Sequence, residues 1–549
     1  MHQISKIALV ALLGLAASQA RSSPEDFMVC DGFGPMKAGL DGLRPSGLAK
    51  LLFSATDHRR SETMRADAQW IVSCDRALAD PVLTDKFWVR RANLLQGKAM
   101  HLMASGDFGG ALEAVAESDR IGLAQNDPLF NDSVALGNRM VRAYALIQLG
   151  RPDEARKEVS ALEVGRPYAP SIGRVAYQLS QLLDGTVDNK VARSRALAPV
   201  APNDLSTAFW DAFITAQFTA AVEVAPHISF DLPSMRGGWK LIGGEELQYE
   251  LIERRADFAG AWAYALHALG RQEESDAVFA AARRDLLDAA APPAPRANGR
   301  KHPEWVLKEF ERRETAAGKG TELLDGWVQG IAVRRDVVTL TAREFMDRQH
   351  EAVMRTLPIG LDVFRQLRVE PVEQPALDEY LAKLEQQVAE LRREANAISL
   401  DDLLQSLPRP EVAEIKPRFR KSDWLISENG FTREKEEGTA IETHRFIHGL
   451  ASKAMVEELV LLSTARSAQK EGKDSLLINS RRTISRTMNT NMYGTVVSSA
   501  AFGNEAQLRV LLIDSKAVPT ALGDVGWRLL PVADVLAALE PKYLPAKGK

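Results

Sequence analysis

Ser105–Ser118 reads SGDFGGALEAVAES, Leu149–Leu162 reads LGRPDEARKEVSAL, and Leu269–Ala282 reads LGRQEESDAVFAAA. Each stretch sets a glycine (Gly106, Gly150, Gly270) between two amphipathic, alanine-rich segments. Glycine lets the chain reverse without a Cβ clash, and Asp107 is placed to accept from the unpaired amides of a following helix. Before the first turn Leu95, Ala99 and Leu102 recur at helical spacing, and after it Ala111, Val115 and Ser118 supply a facing stripe. The second turn repeats the arrangement through Ala143, Leu146, Ala155 and Val159 and closes at Pro167; the third does so through Ala263, Leu266, Ser275 and Phe279. A lone hairpin leaves an apolar face open that a stacked neighbour covers, so these stretches predict stacked helical hairpins.

The three units resemble tetratricopeptide repeats, which place a small residue before the first helix ends, glycine at the turn, alanine early in the second helix and proline after it. The likeness covers 85–168 and 247–288. It departs from the pattern at Ala99, where glycine is common, and in the missing closing proline of the first unit. The third unit lacks both that glycine and the proline. Gly106 and Gly150 also lie farther apart than one repeat of about 34 residues. The expected fold is therefore mostly α: an irregular helical-repeat array over 85–288 and a smaller C-terminal α+β domain. The resemblance implies a concave peptide-binding surface, on which Arg90, Arg91 and Lys98 either contact an acidic ligand or solvate an outer helix face.

The first twenty residues read as a signal peptide: Lys6, the apolar run IALVALLGLAA, then Ser18-Gln19-Ala20 in the small-x-small pattern. This predicts export to the periplasm or beyond, and no later run is apolar enough to span a bilayer. In that compartment Cys30 and Cys74 are expected to pair within the N-terminal region 21–84, with two separately buried thiols as the alternative. A formal charge of −4 from nearly balanced acids and bases indicates no specific attraction to nucleic acid.

The proline- and alanine-rich stretch at 289–303 reads as a linker, followed by a helical connecting region, 304–410. In it, 341–358 is a possible helix, and Leu377, Leu381, Leu384, Val388 and Leu391 form a stripe that suits a partner helix. Over 411–545 the pattern predicts a long helix from Glu442 to Gly472, strands near 475–480, 493–500 and 507–513, and a short terminal helix. Leu462-Ser463-Thr464-Ala465, Gly472 through Ile478 and Ser480-Arg481 resemble a domain of small bacterial envelope proteins of unknown function. That resemblance implies envelope location and no chemistry.

Candidate chemistry is sparse. On a helix His444 and His448 would share a face as zinc ligands, but Glu442 does not stand between them as in HExxH. Arg481, Arg482 and Arg486 either contact a carboxylate or phosphate or serve surface solubility and pairing with local acids. Lys319 in AAGKGTE lacks the glycine spacing of a phosphate loop. Trp210, Phe213, Phe218, Trp239 and Tyr249 with Glu245, Glu246 and Glu250 suggest either core packing or a glycan cleft. No catalytic, metal or cofactor set is identified. The expected function is an exported, noncatalytic scaffold for an envelope protein or peptide; the alternative is a hydrolase acting on an envelope glycan or peptide.

Overall fold

The computed structural model describes residues 22–36, 41–43, 64–183, 187–228, 245–292, 301–337, 357–366, 371–372, 374–396, 398–411, 418–422, 429–436, 439–449, 451–492 and 495–544. The signal-peptide reading of 1–20, Trp239, most of the linker and nearly all of the possible helix at 341–358 lie outside these residues. The described chain is mostly helical, with one five-stranded sheet near its C-terminal end.

Two short helices open it, α1 (Pro24–Asp31) and α2 (Ile71–Leu78). A disulfide joins Cys30 to Cys74 across them at a Cα–Cα distance of 4.9 Å. Both cysteines are fully buried. They rest on α3 (Trp88–Ala104) at Gly97, where a Cβ would come within 2.2 Å of the Cys30 carbonyl oxygen.

Helix α3 packs on α4 (Phe108–Leu123), α5 (Val134–Gln148) on α6 (Pro152–Gly165), and α6 on α7 (Pro170–Leu183). Next come α8 (Asp204–Ile214), α9 (Phe218–Val224), α10 (Glu245–Ala268) and α11 (Gln272–Ala289), with α8 against α9 and α10 against α11. Gly106, Gly150 and Gly270 take φ of 82°, 68° and 77° at three of these turns. In each, the residue after the glycine donates its amide to the carbonyl five positions back: Asp107 to Leu102, Arg151 to Leu146, Arg271 to Leu266, all at 2.9 Å. That bond closes the helix end with a left-handed residue inside it. Five residues after each glycine a small side chain, Ala111, Ala155 or Ser275, is fully buried in the crossing.

The stretch between the second and third hairpins holds a fourth turn of the same geometry. Ala216 takes φ 57°, and Gln217 donates to the Ala212 carbonyl at 2.8 Å. Ala221, five residues on, is fully buried like its counterparts.

Helix α12 (Glu304–Val337) lies along α10, where Trp327 covers Gly260 and donates from Nε1 to Asp257 at 2.9 Å. The stripe helix α13 (Gln374–Asn396) buries Leu384 and Val388 in the same core but leaves Leu391 exposed. Helix α14 (Leu400–Ser406) returns to the first hairpins and buries Leu403 and Leu404 among them.

The sheet is β1 (Gly430–Lys435), β2 (Ile441–His448), β3 (Ser475–Met492), β4 (Thr495–Ile513) and β5 (Leu530–Pro531), in the order β1-β2-β4-β3-β5 with every pairing antiparallel. Helix α15 (Lys453–Lys470) packs on β4 and β2, and α16 (Val532–Tyr543) packs on α15. Three sequence expectations change here. Residues 442–448 are a strand and not the start of a helix, because pairing on both sides, to β1 and β4, outweighs a weak local preference. The helix begins only after Ser452, whose hydroxyl accepts from the Met455 amide. Residues 495–500 and 507–513, expected in separate strands at 493–500 and 507–513, are parts of one strand, β4, and β3 runs on past Ser480 to Met492.

Candidate functional site: the cleft between helices and sheet

Where α7, α14, the start of α15 and the middle of β3 and β4 meet, they enclose an open cavity of about 270 Å³. Its floor is set by Glu457 on α15, which is buried and accepts three hydrogen bonds: from the Ser171 amide at 3.1 Å, the Ser171 hydroxyl at 2.7 Å and the Thr483 hydroxyl at 2.7 Å. The carboxylate thus ties a helix of the first half, at its N-terminal turn, to a strand of the second. On the strand side Ser485 faces Asn504 across the β3–β4 ladder, and the Asn504 amide donates to the Ala451 carbonyl at 2.7 Å.

Three cations surround this floor. Arg174 is exposed and lies 3.5 Å from Asp204, Lys453 is exposed at the first turn of α15, and half-buried Arg409 reaches the Leu43 carbonyl at 3.4 Å. The amides of Lys453 and Ala454 have no acceptor among the described residues, the ordinary state of a helix's first turn. Ile172, Val175, Leu407 and Ala454 give the cavity an apolar flank. Among the described residues the lining contains no histidine or cysteine, and Glu457 is its single carboxylate.

The surrounding field acts on His448, which sits opposite Asn504 at the end of β2. Burial, and then the positive charges of Arg420 and Arg409, push its imidazole down to about 4. It stays neutral in a positive neighbourhood.

The arginines singled out from sequence take different places. Arg90 does not line a groove: it is fully buried, bound to Asp31 at 2.9 Å and to the Asp41 carbonyl at 2.6 Å. Arg91 donates to the Leu83 carbonyl at 2.7 Å, and Lys98 pairs with Asp75 at 2.6 Å. Arg481 is likewise withdrawn from any ligand. It is buried, with its guanidinium spent on the carbonyls of Val200, Tyr168 and Glu457, and burial pushes it down to about 10. Its backbone pairs with Asn203 through both N–H and C=O, so an asparagine side chain caps the open edge of β3. Arg482 is exposed, and Arg486 lies 3.8 Å from Glu505.

His444 and His448 are separated in role by their strand. His444 is fully buried and bonds Glu442 at 3.1 Å, while Glu442 is held by Arg433 at 2.7 Å. Among the described residues no three His, Cys, Asp or Glu side chains converge as metal ligands. Trp210, Phe213, Phe218 and Tyr249 join or pack on the core of the second helical group. Glu250 pairs with Arg254 on the surface, and the side chains of Glu245 and Glu246 lie outside the described residues. Lys319 is in the middle of α12, 3.1 Å from Glu253.

Sequence reasoning missed the cleft because Ser171, Arg174, Arg409, Lys453 and Asn504 share no motif. Four separate segments bring them together, and the only local signal was the Ser452 cap. No helix among the described residues is long and apolar enough to cross a membrane. No family model, curated protein or solved structure matches the chain.

Proposed function

We propose that the chain is an exported, noncatalytic protein- or peptide-binding scaffold of the bacterial envelope, with a helical half built as an irregular array similar to tetratricopeptide repeats. The observation that carries this reading is that, among the described residues, one turn joins paired helices four times, at Gly106, Gly150, Ala216 and Gly270, each followed five residues later by a fully buried small residue; the same closure at Gly472 leads into β3 instead. Hairpins joined by one geometry stack into extended surfaces, and such surfaces suit binding better than chemistry. The leader-like first twenty residues and the Cys30–Cys74 disulfide both fit an oxidising compartment. For the hydrolase alternative acting on a glycan, general acid and base work needs two carboxylates, and the described lining of the cleft offers one.

The test is capture of partners from the native envelope fraction by the mature chain, with Ala111→Trp as the control that breaks hairpin packing. A reproducible protein partner lost in the control supports the scaffold. Enrichment of a glycan or small ligand in place of a protein would overturn it.

A further inference from the structure

We infer that the cleft between α7, α14, α15 and the β3–β4 ladder is the scaffold's peptide site, and that it holds its ligand by a carboxylate; this rests on the scaffold reading above. Arg174, Arg409 and Lys453 border one cavity; against them stand Glu457, the one acid among its described lining residues and hydrogen-bonded by Ser171 and Thr483, and Asp204, 3.5 Å from Arg174, so three cations face two acids and the cavity is net positive. The first-turn amides of Lys453 and Ala454, which have no acceptor among the described residues, lie in the same wall. A carboxylate entering there meets charged donors and the positive end of an 18-residue helix.

The rest of the lining selects a peptide over a free inorganic anion. Ile172, Val175, Leu407 and Ala454 form an apolar flank within the same 270 Å³, room for about one side chain beside the carboxylate. The carboxylate has two sources in a peptide: the chain's own C-terminus or an Asp or Glu side chain.

The experiment exposes the immobilised full-length mature protein to two pools of random hexapeptides, one of free acids and one of C-terminal amides, and weighs the retained members by mass spectrometry. Retention of free acids alone assigns the C-terminus. Equal retention of Asp- and Glu-containing members from both pools assigns the side chain. Either result should fall at least tenfold in Lys453→Glu, and separately in Arg174→Glu, with circular dichroism unchanged. Retention indifferent to carboxylates, insensitivity to both substitutions, or no retention at all overturns the inference. A protein partner still captured from the envelope fraction by Lys453→Glu would leave the scaffold standing and remove this cleft from it.

Discussion

Arg166 and Glu458, 292 positions apart, form a doubly hydrogen-bonded ion pair, Nε to Oε1 at 3.0 Å and Nη2 to Oε2 at 2.8 Å, with both side chains buried. Arg166 follows α6 in the helical half, and Glu458 lies on the helix that backs the sheet. The same guanidinium donates to Glu411 at 3.0 Å, and Tyr543 of the last helix donates its hydroxyl to Glu458. The two halves are therefore joined by a closed charged network and not by a loose linker alone.

Breaking that network from its cationic centre should be costly. In Arg166→Met two carboxylates lose their common counter-charge, and only Lys542, 2.9 Å from Glu458, remains for one of them. Removal of one partner from a buried pair costs about 3–5 kcal/mol. Urea unfolding should show a loss of that size, with part of it recovered when Glu458→Leu is added. A loss below about 1 kcal/mol would mean the pair contributes little beyond its packing.

Acid should destabilise the fold in two separate windows. Burial, with Arg420 and Arg409, holds His448 at about 4, whereas unfolded histidine titrates near 6.5. Between those values the unfolded chain takes up the proton first, so stability falls as pH drops from about 6.5 to 4, by up to about 3 kcal/mol. Burial opposes ionisation of Glu458, but Arg166 and Lys542 prevail and hold it at about 2. Its stabilisation is complete above about 4.5 and is lost as pH falls towards 2. His448→Gln should flatten the upper window only. Denaturant titrations at pH 7, 5.5 and 4.5 measure the slope, and an unchanged slope in the variant would place the effect on other buried histidines such as His444 and His101.

What the sequence displayed and what it hid follows from the range of the forces involved. Turns at Gly106, Gly150 and Gly270 were legible because a left-handed residue is a local demand that glycine meets visibly. The disulfide was legible because the sequence holds two cysteines and an expected export signal, which together leave one pairing. Strand β2 was not, since Glu442-Thr443-His444-Arg445 is polar at every position and Phe446-Ile447 are adjacent, so nothing alternates and the segment becomes a strand by pairing with β1 and β4. Strand β1 passed unread for the same reason: Thr432-Arg433-Glu434-Lys435 carries no apolar alternation. Arg90 looked like a surface cation because its partner Asp31 lies 59 positions away. The cleft is the extreme case, assembled wholly from contacts between segments remote in the chain.

The fourth turn tests how much of the repeat geometry is written in glycine. At Gly150 a Cβ would meet no atom within 4 Å, so Gly150→Ala adds only the backbone cost of a left-handed alanine, about 1–2 kcal/mol. Glycine's greater freedom in the unfolded chain offsets about 0.5–1 kcal/mol of this, leaving a net loss near 1 kcal/mol. Ala216 already bears that cost, but its methyl group packs against the core that holds Phe213 and Phe218. Ala216→Gly would relieve the strain while giving up the contact, up to about 0.8 kcal/mol, and the unfolded-state advantage of alanine. The terms nearly cancel, so the substitution should fall within about 0.5 kcal/mol of neutral. Urea midpoints at unchanged m-value decide it. Equal destabilisation by Gly150→Ala and Ala216→Gly would show that the fourth turn depends on its methyl packing far more than on its backbone, and that its likeness to the glycine turns is geometric only.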